Sequence, residues 1–173
     1  GTVEYTIKTN GTTSASSISG SNFIAGAMSD KNDDDQTVVV TITAKGTNDY
    51  GEKSVDVTIT VQKNTRTIAF KSTVPSEIEY NKTATAAVDV SGTGGTQGSV
   101  TYTTSNANII AVSGTTLTAK ASSGEATITA TMARTTTVKE AKTTKKIKGI
   151  QNKTNPMTVS STAMTVKTLS VTD

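Results

Sequence analysis

The feature that most constrains this 173-residue chain is an internal repeat with a period of about ninety residues. Four segments recur in the same order, and the offsets of the first, second and last pairs are 97, 94 and 89 residues. The matched pairs are residues 3–6 with 100–103, residues 18–23 with 112–117, residues 39–44 with 125–130, and Gln62 with Gln151. A period this long indicates a string of domains and not a solenoid of short repeats.

Apolar and polar residues alternate with period two along several segments, as in a strand with one buried and one solvated face. The alternation is clearest in residues 38–44, 55–61, 84–90 and 126–132. In the last of these, Ile128 is predicted to face the core while Thr129 faces solvent. Clusters of Asn, Gly and Ser separate the segments, and no amphipathic helix pattern is found. The fold class is therefore predicted to be all-β and built as a sandwich.

The composition limits both the core and the chemistry. Apolar residues make up 33% of the chain and aromatic residues 3%, so each core must be thin and built from Val, Ile and Ala. Without Cys or His, disulfides, thiolate chemistry, the commonest general base and the commonest zinc ligand are all excluded. Closely spaced carboxylates occur at Glu77 and Glu79 and at residues 33–35, but the sequence predicts no cleft between them. We therefore expect no enzyme, no catalytic residues and no cofactor.

The repeat also predicts the domain organisation. Residues 1–62 form a partial domain, residues 63–151 a complete one, and residues 152–173 either the opening strands of a further unit or a donor strand. The complete domain is predicted to have about seven strands, the number of a small immunoglobulin-like sandwich. These strands are predicted near residues 66–71, 84–90, 99–104, 108–112, 115–120, 125–132 and 138–148. The linkers, residues 62–65 and 151–156, are short and polar, which favours an extended rod.

Charge is distributed unevenly between the two copies. Residues 1–62 have a balance of −4 and residues 63–151 a balance of +6, within a net charge of +3. The two units could therefore meet head to tail, or the charge could simply drift along a solvated surface.

An acidic segment before residue 38 is the one candidate metal site. Asp30, Asn32 and Asp34 stand at positions 1, 3 and 5 of a calcium-loop pattern. The glycine and the glutamate that complete the pattern are replaced by Asp35 and Thr41. We therefore expect no metal and an acidic turn in its place.

A basic segment near the end of the second copy is the candidate binding patch. Glu140 is the one acidic residue within this segment. The segment could bind phosphate polymers or acidic glycans. Lysines on an exposed strand also protect a sheet edge from aggregation, which is the alternative. Because no aromatic residues interleave, nucleic acid is not expected. The patch consists of Arg134, Lys139, Lys142, Lys145, Lys146 and Lys148.

The sequence also predicts the environment of three tyrosines. Tyr5 and Tyr102 occupy equivalent strand positions and are predicted to lie in the core. Tyr50 is predicted to pack on the strand next to its turn.

Several runs resemble the bacterial immunoglobulin-like domains of group 2. The resemblance lies in residues 100–106, 110–114, 117–120 and 124–130, and in residues 47–61 as a closing hairpin. It implies tandem seven-stranded sandwiches, which this family uses in bacterial surface adhesins, in stalks of secreted enzymes and as appendages of phage capsids and tails. The chain departs from the family pattern at its ends, because the opening strands have no counterpart before Gly1 and recur after Gln151.

The expected function is a non-enzymatic structural or adhesive module, which forms an extended spacer or surface-binding rod on a bacterial cell surface or a phage virion. The expected location is extracellular. The expected partners are proteins, including other copies head to tail, and cell-surface glycans, with no membrane insertion. One alternative is a filament subunit that assembles by strand donation. Another is an accessory carbohydrate-binding module of a secreted enzyme.

Overall fold

The computed structural model describes residues 1–11 and 16–153, and this part of the chain contains fourteen strands and no helix. The predicted all-β class is confirmed. No helix in these ranges is long and apolar enough to cross a membrane. Residues 152–173 were predicted to be the opening strands of a further unit or a donor strand. Beyond Lys153 this segment lies outside the described residues. The strands are β1 (Val3–Thr9), β2 (Ser17–Ser19), β3 (Asn22–Ile24), β4 (Gln36–Ala44), β5 (Lys53–Val61), β6 (Thr67–Phe70), β7 (Glu77–Glu79), β8 (Thr83–Thr85), β9 (Val88–Ser91), β10 (Val100–Thr104), β11 (Ile110–Ser113), β12 (Thr116–Ala119), β13 (Glu125–Met132) and β14 (Ala141–Ile150).

Residues 63–151, called the second unit below, form an immunoglobulin-like sandwich. One sheet has the strand order β10-β13-β14-β7 and the other has the order β11-β12-β8, while β9 pairs with β6. All pairs are antiparallel except β7, which runs parallel to β14 along its outer edge. The arrangement is the one expected when two half-buried sheets cover each other's apolar faces.

The second unit has nine strands where about seven were predicted. The segment 84–90 was predicted as one strand, but its two ends pair with different partners, so that β8 lies beside β12 and β9 lies beside β6. Strand β7 was missed because three residues with the pattern Glu-Ile-Glu carry almost no periodic signal. Its parallel pairing with β14 depends on residues about seventy positions away.

Strand β13 shows that the alternation places the core correctly. Ile128, Ala130 and Met132 are fully buried, while Thr129 and Thr131 between them are only half-buried. Burying one such large apolar side chain contributes about 1.5–3 kcal/mol. The thin core predicted from composition is therefore built from a few aliphatic side chains that two sheets share.

Residues 1–62, called the first unit, repeat only the later strands of the second. Strands β1, β4 and β5 form one sheet and the hairpin β2–β3 lies against it. The pairing of equivalent tyrosines aligns the sheets, because Tyr5 pairs with Ile42 and Tyr102 with Ala130. This alignment differs by two residues from the sequence match of residues 39–44 with 125–130, so the side chains keep the same face. Among the described residues, the first unit has no counterpart of β6 to β9.

This difference explains why two predictions about tyrosines were wrong. Tyr102 is half-buried with its ring centroid 6.2 Å from that of Phe70, and burial raises the pKa of its hydroxyl. Tyr5 is 36% exposed and Tyr50 is 78% exposed. Phe70 belongs to β6, and within residues 1–11 and 16–153 no equivalent of this strand covers Tyr5.

Candidate functional site at the junction of the two units

The two units meet through an acidic loop and a basic turn. The acidic loop, residues 30–36, precedes β4 in the first unit, and the basic turn, residues 133–140, joins β13 to β14 in the second. Next to the acidic loop, the backbone nitrogen of Met28 donates to the carbonyl of Thr136 at 2.9 Å. The loop ends of the two sandwiches are therefore in direct contact.

Asp33 is the centre of this contact. Its Oδ2 accepts a hydrogen bond of 3.0 Å from the backbone nitrogen of Glu140. Its Oδ1 lies 3.5 Å from Nζ of Lys63 and 3.6 Å from Nε of Arg134. One carboxylate of the first unit is thus held by a backbone donor and two cations, and hydrogen bonds to a charged group are the stronger kind.

Lys63 comes from the linker that follows β5, and its side chain is fully buried. Its Nζ donates to the carbonyl of Asn32 at 2.6 Å, in addition to the contact with Asp33. A buried ammonium group is tolerated only when it is paired and hydrogen-bonded. The linker is therefore anchored against the acidic loop.

Arg134 and Lys139 add contacts at the rim of the junction. Nη1 of Arg134 donates to the carbonyl of Lys31 at 2.7 Å. Nζ of Lys139 lies 3.5 Å from Oδ1 of Asp35, and Nε2 of Gln62 donates to the same carboxylate. These side chains are partly exposed, so each contact adds less than those of the buried Lys63.

The calcium candidates lie in this loop but do not converge. Asp30, Asn32 and Asp34 are all exposed, whereas the neighbouring Asp33 and Asp35 face the second unit. Within the described ranges, no group of three or more acidic side chains is placed to hold a metal ion. Calcium binds carbonyl and carboxylate oxygens. In this loop the ammonium of Lys63 contacts such oxygens, the carbonyl of Asn32 and the carboxylate of Asp33.

The basic patch is divided between two places. Arg134 and Lys139 lie at the junction, and the other four members lie along β14. Acidic residues distant in sequence oppose several members, so Glu140 is not their only counter-charge. Lys142 lies 2.9 Å from Glu140, Lys146 lies 3.0 Å from Glu125, and Lys148 lines a small surface cleft with Glu77 and Glu125. Lys145 is half-buried on the other face of the strand.

Three exposed ion pairs of the first unit shift the pKa values of two side chains, Asp56 and Lys45. Nζ of Lys8 donates to Asp56 at 2.6 Å, and this hydrogen bond lowers the pKa of the carboxyl. Hydrogen bonds to Glu4 and then Glu52, at 3.1 and 3.3 Å, raise the pKa of Lys45. Both groups are solvent-exposed, so these pairs contribute little to stability.

Sequence reasoning did not find Lys63 or Asp33. Lys63 is one residue of a polar linker, and Asp33 lies between the positions that the calcium pattern selects. The opposite charge balances of the two units were the available signal, and they match the charges that meet at the junction. No protein-family model and no curated protein matches this chain.

Proposed function

We propose that this chain is a non-enzymatic spacer in which immunoglobulin-like modules are joined end to end at a fixed angle. The observation that carries the proposal is the junction, where the fully buried Lys63 and the carboxylate of Asp33 tie the linker and both units together. A rigid series of modules projects whatever lies at its end, and such repeats favour many weak contacts over one strong site.

The acidic loop is contacted at three separate points, one on the linker and two on the basic turn, which is why we infer a fixed angle. The acidic loop contacts the linker through Lys63, the start of the basic turn through Arg134 and its end through Glu140. Rotation about the linker would break all three contacts together. Units joined by a flexible linker alone would have none of them, and motion between domains would then be the default expectation.

The proposed setting is extracellular, on a bacterial cell surface or a phage virion. It rests on the resemblance to group 2 bacterial immunoglobulin-like domains, whose members serve as adhesins, stalks and virion appendages. The proposed partners are proteins and cell-surface glycans met at loops and sheet faces. The chemistry of the described residues fits a non-catalytic role, because the acidic groups with the most contacts are engaged with cations at the junction.

A carbohydrate-binding module would need an exposed aromatic platform, and Tyr50 is the most exposed aromatic residue described. Its exposure has a simpler cause. Tyr50 accepts a backbone hydrogen bond from Thr47 as Val138 accepts one from Thr135, so the two turns are equivalent. Val138 is fully buried in a cluster with Ile68, Ala130 and Met132, and Asn64 pairs with its backbone. Tyr50 therefore marks an uncovered core position, and the spacer is the better proposal.

The proposal is tested by measuring the distance between the units. The chain has no cysteine, so the substitutions Thr58→Cys and Thr144→Cys introduce two spin labels, one on an exposed position of each unit. Pulsed electron paramagnetic resonance is expected to give one narrow distance distribution. Adding Lys63→Met should broaden it.

A matched control is Lys71→Met, which removes an exposed lysine that lies 3.6 Å from an exposed Asp89 within the second unit. It should leave the distribution unchanged. A broad distribution in the labelled chain without further substitution would mean that the units move freely, and would overturn the spacer with a fixed angle.

A further inference from the structure

The first unit has an open apolar groove between its sheet and its hairpin. The groove has a volume of about 140 Å³ and opens to solvent. Beside it, Val55 is 58% exposed and Val57 is 40% exposed, and both point to the core side of β5. Apolar rows next to an unpaired strand edge are costly to leave uncovered. The lining is apolar except for Ser21 and otherwise consists of Tyr5, Ile18, Phe23, Val40, Ile42, Val57 and Ile59.

The second unit shows what covers the same place. Ile42 and Ala130 are equivalent, because each pairs with the equivalent tyrosine. On its other side Ile42 pairs with Val55 of β5, and Ala130 pairs with Thr143 of β14, so β5 corresponds to β14. In the second unit β7 pairs in parallel with the end of β14, and residues before β6 pair with Val138 at its start. Strands equivalent to β6 and β7 would therefore run parallel to β5 along its open edge.

The chain contains a second copy of that covering segment. Residues 157–159 stand 89 positions after residues 68–70 of β6, and the apolar residues Met157 and Val159 match Ile68 and Phe70. Residues 163–171 continue with further apolar residues at Met164, Val166, Leu169 and Val171. This segment, residues 157–171, is called the donor segment below.

We propose that the open groove of the first unit is a strand-acceptor site, and that its occupant is the donor segment of a second copy of this chain. The donor segment adds its first strand beside the start of β5 and the rest beside the end of β5. Main-chain hydrogen bonds along the edge provide affinity, and alternate apolar side chains fill the groove.

The donor segment cannot reach the groove of its own chain. The junction lies at the end of β5 and the start of β14, so Lys153 and the start of β5 lie at opposite ends of the two units. If the two units are aligned end to end, as in the proposed spacer, strands of nine and ten residues at ~3.3 Å per residue put about 60 Å between these ends. The four peptide steps from Lys153 to Met157 span at most about 14 Å. Donation between copies is therefore the geometry that the strand lengths allow.

Such donation is head to tail, because the donor and the acceptor are different surfaces of the same chain. A heterologous contact of this kind produces open chains of subunits unless its rotation closes a ring. The copies would then repeat the arrangement of the two units, which extends the proposed spacer into a filament.

Sedimentation velocity at several concentrations of the 173-residue chain tests the proposal. Three altered chains are compared with it: one that ends at Lys153, one with the donor change Val159→Lys and one with the acceptor change Val57→Lys. Each is expected to weaken association at least about tenfold in apparent dissociation constant, which is ~1.4 kcal/mol. Thr58→Lys, at an exposed position on the outer face of the same strand, is the matched control and should associate normally. Circular dichroism verifies that each altered chain is folded.

The decisive measurement mixes the donor-altered and the acceptor-altered chains. Each keeps one intact half of the contact, so the mixture should form a one-to-one dimer although each chain alone stays monomeric. A parent chain that remains monomeric at about 100 μM, far above the micromolar dissociation constants of ordinary complexes, would overturn the proposal. Association that survives removal of residues 154–173 would also overturn it, and would assign the groove to a different occupant.

Discussion

Replacing Lys63 with methionine is expected to weaken the junction by about 2 kcal/mol, because a hydrogen bond from a charged donor is lost. Methionine has a similar length and keeps the packing of the buried stem, so no large cavity is created. The substitution removes only the ammonium that donates to Asn32 at 2.6 Å and lies 3.5 Å from Asp33.

The magnitude follows from three contributions. A hydrogen bond from a charged group contributes about 1.5–3 kcal/mol. The ion pair with Asp33 adds up to about 1 kcal/mol, since that carboxylate is 27% exposed and keeps Arg134 and the backbone donor. The substitution also removes the cost of desolvating a buried ammonium, which acts in the opposite direction. We therefore expect a loss of junction stability near the lower end of the sum of the first two contributions.

The assay is urea unfolding of the whole chain and of residues 63–151 alone, each with and without Lys63→Met. The free energy of unfolding should fall only in the whole chain, because Asn32 and Asp33 are absent from the shorter one. Lys71→Met should cost less than about 0.5 kcal/mol in both, as expected for an exposed lysine. An equal loss in both chains would show that Lys63 acts within the second unit, and would refute the assignment to the junction.

Four further predictions concern the core of the second unit, calcium binding, the domain boundary and an exposed ion pair. Ile128→Asp should unfold the second unit, since a buried unpaired carboxylate costs several kcal/mol, whereas Thr129→Asp should cost far less; equal losses by circular dichroism would contradict the assigned faces. Millimolar calcium should leave the melting temperature unchanged, and a rise that disappears when Asp30 and Asp34 are replaced by alanine would contradict this. Residues 63–151 should fold alone with one cooperative thermal transition, and a disordered spectrum would show that the boundaries are wrong. The carboxyl of Asp56 should titrate below 3.8 by NMR and return toward that value in Lys8→Met; because its folded pKa is lowered, its small contribution to stability is present above the unfolded pKa and is lost as the pH falls through the folded one.

The faces of the strands could be predicted from the sequence because they depend on period-two alternation, which is local. Ile128 is buried and Thr129 is not, as the pattern of β13 predicts. The repeat likewise predicted that the first unit would lack the covering strands, and the open groove beside Val57 is its consequence.

The outcome was different wherever a residue depended on a partner distant in the chain. Tyr50 was predicted to pack, yet it is exposed, because the burial of this turn residue depends on a covering strand that has no counterpart among the described residues of the first unit. Strand β7 was missed for the same reason, since three residues become a strand only through pairing with β14.

By itself, the sequence determined the all-β class, the buried face of its longer strands and the opposite charges of the two copies, because periodicity and composition are properties of neighbouring residues. Only the tertiary structure decided which charges meet. Asp33 and Arg134 are about a hundred positions apart, and Lys63 is buried between the units because two loop ends and a linker converge on it. That convergence depends on how two folded sandwiches dock, and no local pattern in the chain encodes it.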